Sequence, residues 1–283
     1  EIITSDWSSD VCSSDLAPDS VIDQFGVFAQ NRLSFGGSGV SLIPGLRYDY
    51  YRLNAKPDTS FWHTVGSSYQ VSNYREDHFS FRLGSLYDIS NNHTLYANYA
   101  EGFRAPAFNE TNLGFENPQQ GYSYIANPSL KPEKSRGIEI GWRSDNGILN
   151  HDLSAYYTRY YNFIQSQTNI GRNPQNGLIA FTSVNLPSAE IYGVELAAGV
   201  NFSGIHPRLQ GLSTDLGLAW TDGKNRSDNT PISSIAPFSG HIGVNYDVDE
   251  RWGVGTHWRF ATKKADKDVS ITKIGRASCR ERV

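Results

Sequence analysis

Methionine is absent from the 283 residues, cysteine occurs only twice, and charged residues make up a modest 19%. No apolar stretch approaches the roughly 20 residues that a membrane-crossing helix needs, and mean hydropathy is −0.48. That excludes helical insertion. It does not exclude a membrane barrel, whose strands carry only an alternating hydropathy signal. The formal net charge of −4 leaves no basic footprint for nucleic acid. Catalytic context is missing too: there is no GxSxG elbow, and Gly36–Gly39 has no following helix to make it a phosphate loop. No enzyme is expected. What the chain has in quantity is 16 Tyr, 14 Phe and 26 Gly, a composition of strands and loops.

The ends read differently from the middle. Glu1 to Leu16 (EIITSDWSSDVCSSDL) is Ser/Asp-rich without periodicity, and has neither the basic start nor the apolar centre of a signal peptide. It resembles translated sequencing-adapter DNA, and Lys273 to Val283 (KIGRASCRERV) resembles the partner adapter. Residues 1–16 and 273–283 are therefore expected not to be native, and 17–272 to be an internal piece of a longer gene. Cys12 and Cys279 go with the ends. The remaining body carries no disulfide framework and no thiolate metal site.

Within 17–272, apolar and polar residues alternate with period two, the mark of a strand with two different faces. Phe79, Phe81 and Leu83 alternate with Ser80, Arg82 and Gly84; Trp252, Val254, Thr256, Trp258 and Phe260 alternate with Gly253, Gly255, His257, Arg259 and Ala261. Tyr192 to Phe202 repeats the pattern, as do segments near 24–35, 40–53, 94–103, 136–143, 151–163, 213–220 and 239–246. About ten strands result, each near the length that crosses a bilayer at a tilt. Short links at 36–39, 90–92, 144–147, 203–212 and 247–250 take turns with long polar links at roughly 54–77, 104–135, 164–190 and 221–238. Outer-membrane barrels have that asymmetry, with short periplasmic turns and long extracellular loops. Tyr and Trp such as Tyr48, Tyr99, Tyr157, Trp142 and Trp220 fall on these strands, many near an end, as interfacial girdles require. Ten open strands would leave bare edges in hydrocarbon, so further strands are expected to close the parent barrel.

Three segments carry a family resemblance: YANYAEGFRAPAF from Tyr96 to Phe108, NPSLKPE from Asn127 to Glu133, and NLPSAEIYGVEL from Asn185 to Leu196. On these the chain resembles the C-terminal barrel half of a TonB-dependent outer-membrane receptor. The boxes Phe103-Arg104-Ala105-Pro106 and Asn127-Pro128-Ser129-Leu130, one loop apart, resemble the FRAP and NPNL boxes of haem and haemoglobin uptake receptors. The resemblance implies an all-β fold, a partial antiparallel transmembrane β-barrel whose parent has about 22 strands. It also implies a Gram-negative outer-membrane location, a plug upstream that couples to the TonB–ExbB–ExbD complex, and haem as a transported ligand with no covalently bound cofactor.

Many receptors of this type ligate haem iron with a His between the boxes; here 107–126 contains none. Tyr122 and Tyr124 stand in that interval, and a tyrosinate can serve as an axial haem ligand. Tyr122 is the first candidate for the iron and Tyr124 the second, the alternative being that both rings only pack the loop. Arg104 has a planar fork suited to a haem propionate, or it anchors the loop through backbone carbonyls. His63 lies in one long link and His78 beside it, and His241 and His257 fall on pore-side faces, none at metal-ligand spacing. The missing His keeps a siderophore receptor open as a second reading. A passive porin-like barrel and a soluble β-sandwich are the rival classes.

Overall fold

Residues i and i+2 share one face of a strand, so uninterrupted alternation over ten residues specifies a sheet with one oily and one wet side. The computed structural model, which describes residues 18–59, 61–62, 70–232, 235–247 and 252–263, has that form. Ten long strands run antiparallel in chain order: β1 (Asp19–Gln30), β3 (Val40–Lys56), β4 (Tyr74–Ser90), β5 (His93–Arg104), β8 (Glu133–Asp145), β9 (Leu149–Arg172), β10 (Ile179–Asn201), β11 (Leu212–Asn225), β12 (Ser239–Asp247) and β13 (Gly253–Ala261). Three short strands complete the sheet: β2 (Leu33–Phe35), β6 (Phe115–Asn117) and β7 (Tyr122–Tyr124). The described sheet is open, with β1 and β13 at its edges. Both adapter-like ends, His63 and most of the 247–250 turn lie outside the described residues.

The two faces separate as the alternation requires. On one side stand Phe79, Phe81, Leu83, Ile138, Ile140, Trp142, Val254 and Trp258, all large, apolar and exposed. Ile140 is 58% exposed and Trp258 65%, values that make sense against lipid rather than water. The opposite face carries Glu139, Arg143, Glu195, Asn201, Asp215, His241, Asn245, His257 and Arg259. A single-layer wall has no interior of its own. The buried apolar side chains Leu53, Phe61, Leu130, Ile164, Ala180, Ala189 and Ile232 accordingly gather at the end of the sheet that bears the long links.

Two expectations are corrected. The first strand, read as 24–35, starts earlier and is broken at Asn31–Arg32 into β1 and β2, although the register against β3 is unchanged (Gln30↔Gly45, then Leu33↔Leu42). Pro44 stands opposite the break and has no N–H to give the ladder; only its carbonyl is used, accepting from the Asn31 N–H at 3.2 Å. The long link expected over 164–190 is mostly strand. β9 reaches Arg172 and β10 begins at Ile179, so six residues, 173–178, remain as the turn. β9 has 24 residues, which at about 3.4 Å each carries the hairpin well beyond a bilayer's hydrocarbon. Past that boundary both faces meet polar surroundings, so the hydropathy alternation stops while the hydrogen-bond ladder continues. Asn162 and Gln167, at φ 52° and 57°, mark irregularities in the ascending strand.

Two outcomes follow. In a receptor with the complete barrel, Ile140→Arg should cost about 2–4 kcal/mol of unfolding free energy, the penalty for a cation at bilayer mid-depth, whereas Glu195→Gln on the opposite face should shift the denaturant midpoint little. The present chain alone, with the outer edges of β1 and β13 open, should unfold in detergent without a single cooperative transition. A sharp transition would show that its edges find partners.

Candidate functional site

The segment between the two boxes starts where β5 and β8 end. Arg104 lies opposite Glu133 in the ladder. Pro106 follows, fully buried, and its fixed φ takes the chain out of the sheet into a short helix, α1 (Phe108–Asn112). The Glu110 carboxylate turns back to accept from the Ala107 N–H at 2.9 Å, stabilising the helix start. The same carboxylate accepts from Arg104 Nη1 at 2.8 Å and from Ser166 Oγ at 3.3 Å. Arg104 Nη2 donates to Glu133 at 3.2 Å, and Glu133 also takes the Ile164 N–H at 3.0 Å. The Arg104 fork is thus divided between two carboxylates of its own chain. Burial works against its charge, yet Glu110 and then Glu133 hold its pKa above the ordinary arginine value. Phe103 stacks on His78 at 5.1 Å.

Beyond α1, β6 and β7 form a small hairpin, and β7 lies parallel to the start of β10, with Tyr122 beside Ile179 and Tyr124 beside Phe181. The period-two rule puts Tyr122 and Tyr124 on one face and sends Ser123 to the other, where it is buried. The two phenols join Phe115 and Phe181 in an aromatic quartet. Tyr124 is stacked between them, 5.1 Å from Phe115 and 5.7 Å from Phe181, at interplanar angles of 21° and 27°. Tyr122 meets Phe115, Tyr124 and Phe181 edge-on at 5.8, 6.2 and 6.4 Å. Burial, reinforced by the neighbouring Tyr122, raises the Tyr124 pKa, so this phenol keeps its proton at neutral pH. A cation bound there would reverse that preference.

The second box closes the segment on β10. Asn127 Nδ2 donates to the Ser183 carbonyl at 2.9 Å while its Oδ1 accepts from the Ser129 N–H at 3.1 Å. Leu130 is buried. Asn185 then grips Lys131 by both backbone groups: Oδ1 accepts its N–H at 2.8 Å, and Nδ2 donates to its carbonyl at 3.0 Å and to that of Asn162 at 2.8 Å. One amide side chain therefore replaces a ladder rung across three segments. Asn112 does the same on the other flank, bonding the Ser72 N–H at 2.8 Å and its carbonyl at 3.0 Å.

All the predicted residues lie along this one segment, but they divide between two tasks. Tyr122 and Tyr124 come together; Arg104 stands apart from them, in the Glu110–Glu133 network. Sequence reasoning missed Phe115, Phe181, Glu110, Glu133 and Asn185. Glu110 follows Ala107 by three, the spacing of a carboxylate at a helix start, and Asn185 opens a quoted motif; no local signal pointed to Phe181. The space beside Tyr124, bounded by Glu110, Ile125, Ser166 and Thr182, is about 70 Å³, far below the roughly 300–1,000 Å³ of ligand pockets. The quartet is a platform, not a pocket. A wider cleft of about 640 Å³ lies on the polar face of the wall, lined by Tyr96, Glu139, Asp152, Glu195, His241 and Arg259. In it Tyr96 donates to Asp152 at 2.7 Å, and on the same face His241 and His257 stand 3.5 and 3.6 Å from Asp215.

A two-faced antiparallel wall with short turns at one end and a folded, box-bounded segment at the other defines a class. The chain belongs to the TonB dependent receptor-like β-barrel family, whose model matches residues 3–277. Among individual relatives, it is 29% identical over 266 residues to the hemoglobin-haptoglobin utilization protein B of Neisseria meningitidis, covering 86% of this chain and 32% of that one. It is 31% identical over 198 residues to the hemoglobin and hemoglobin-haptoglobin-binding protein A of Haemophilus influenzae, covering 67% and 18%. The chain thus spans at most about a third of the relatives it matches. In fold it is similar to the copper transporter OprC (TM-score 0.66, 24% identity, 85% of this chain and 35% of that one). It is also similar to the ferric enterobactin receptor PfeA of Pseudomonas aeruginosa (TM-score 0.59, 20% identity, 83% and 31%).

Removing the Asn185 amide tests the closure. Asn185→Ala leaves two backbone groups of Lys131 and one of Asn162 without that partner, at a cost of about 1–3 kcal/mol. Hydrogen exchange at the Lys131 amide should accelerate while the β8 amides below stay protected. Unchanged Lys131 protection would show that the amide clamp is dispensable.

Proposed function

We propose that this chain is part of an outer-membrane receptor for the energised uptake of haem iron, not an enzyme, and that the box-bounded segment is its extracellular ligand-binding region. The observation that carries the reading is the aromatic quartet, which brings two half-buried phenols together on the loop between the boxes. The names of the Neisseria and Haemophilus relatives, which refer to haemoglobin, support the cargo. Flat rings at stacking distance suit the apolar face of a macrocycle, and a phenol among them offers an oxygen to ferric iron. Tyr122 is the iron ligand in this reading, because its ring meets its neighbours edge-on while Tyr124 is stacked on both faces.

Arg104 fixes the segment to the wall through Glu110 and Glu133, and a haem propionate would have to compete with those carboxylates for it. The polar cleft below, with Glu139, Glu195 and Arg259, forms part of the interior wall. The force for release comes from a plug coupled to TonB–ExbB–ExbD, in line with the family to which the chain belongs.

A haem titration of the complete receptor checks this assignment. Wild-type protein should give the absorption of a tyrosinate-ligated ferric haem, and Tyr122→Ala should abolish it while Tyr124→Phe retains it. An unchanged iron spectrum in a Tyr122→Ala, Tyr124→Ala double variant would remove both tyrosines from the metal.

A further inference from the structure

The outward face of the wall carries an ordered set of residues that ligand uptake does not use. Cross-strand partners lie side by side on one face, so the register defines rows that run across the strands. One row reads Tyr99, Ile138, Tyr157 and Tyr192 across β5, β8, β9 and β10. Below it on β8 lie Ile140 and Trp142, on the same apolar side. The next row above reads Glu101, Arg136, Arg159 and Glu190, and the one above that places Lys134 beside Tyr161. The lipid-facing apolar band therefore ends in a rank of tyrosines, with a cluster of cations one step farther out.

That cluster is unusual in its pairing. Arg136 and Arg159 stand directly opposite each other, an arrangement of like charges that destabilises a ladder. Both guanidinium groups lie over the single Tyr161 ring, at 5.9 and 5.1 Å from its centre. Glu101 reaches Arg136 at 3.4 Å, but its carboxylate also takes the Tyr99 hydroxyl at 2.9 Å. Arg159 donates to Ser188 Oγ at 3.3 Å. Among the described residues, neither Arg159 nor Lys134 has a carboxylate within 4.0 Å. Arg136 is 63% exposed. Glu190, the other carboxylate of that row, is already held by Lys224 at 3.4 Å and Arg226 at 3.1 Å. Glu101 alone is left to Lys134, Arg136 and Arg159, on a lipid-facing wall just beyond its tyrosine girdle, and negative charge is short there at headgroup level.

We propose that Lys134, Arg136 and Arg159, with Tyr161, form a binding site for the phosphorylated headgroup of an outer-leaflet lipid. The acyl chains would run down over Ile138, Ile140 and Tyr157, while a phosphate lies between the two guanidinium forks, whose geometry suits its oxygens. The like-charge pair is then a site awaiting its counter-ion. The inference rests on the outer-membrane reading, but not on the identity of the cargo.

The test uses the complete receptor in phosphatidylcholine nanodiscs doped with a bis-phosphorylated glycolipid or its dephosphorylated form, with retained lipid read by native mass spectrometry. Wild type should retain the phosphorylated lipid and not the other. Lys134→Gln, Arg136→Gln and Arg159→Gln combined should lower retention about tenfold or more, with the haem spectrum unchanged. Arg143→Gln, which removes one cation from the pore-side face, should have no effect, and Arg136→Lys with Arg159→Lys should restore only part of the binding. Should the triple variant not fold, Arg159→Gln alone should still weaken retention severalfold. Equal retention of both glycolipids by wild type, or full retention by the glutamine variants, would overturn the proposal. Loss of haem binding with lipid retention intact would count against the cargo alone.

Discussion

Hydrocarbon offers no hydrogen-bond partner, so each backbone N–H and C=O that crosses it must be paired within the protein. In this chain that requirement produces a ladder of long antiparallel strands, and the ladder in turn makes side chains alternate strictly between lipid and pore. Ile138 and Ile140 facing one way with Glu139 between them facing the other is the whole constraint in three residues. The wall needs no packed interior. Its buried side chains lie instead where the chain leaves the membrane and folds on itself, around Leu53, Leu130, Ile164 and Ala180.

The same constraint explains which parts of the structure could be read from the sequence. Inside the apolar band, period-two hydropathy is enforced residue by residue, and all ten long strands were legible there, β5, β8 and β12 nearly to their ends. Outside the band the enforcement ends. The upper halves of β9 and β10 are as regular in hydrogen bonding as the lower halves, but their side chains face polar surroundings on both sides, so residues 164–190 read as a loop. The break between β1 and β2 was invisible for a different reason. It is caused by Pro44 on the neighbouring strand, and a missing donor across a ladder leaves no trace in the segment it interrupts.

The site was legible in part. The two boxes fix where the chain departs from and returns to the sheet, and their prolines say so directly. What the sequence could not show is which distant residues complete them. Tyr124 is held by Phe181 from a strand more than fifty positions later, and Arg104 is occupied by Glu110 and Glu133 rather than by carbonyls. Asn185 joins NPSLKPE to the NLPSAE segment through its side-chain amide on Lys131, and Asn127 ties the box to Ser183 just before that segment, so two motifs that look separate along the chain are one structural unit. The loop's aromatics and the wall's outward cations are both built from cross-strand neighbours, and only the register brings either set together.

The central claim is the assignment of the two faces. Single cysteines introduced along β8 in the complete receptor, each carrying an environment-sensitive fluorophore in native outer membranes, test it residue by residue. Ile138→Cys and Ile140→Cys should be quenched by lipid-borne spin labels and shielded from aqueous iodide, with Glu139→Cys and Gly141→Cys showing the reverse. A signal without that two-residue alternation, or one with the faces exchanged, would contradict the account.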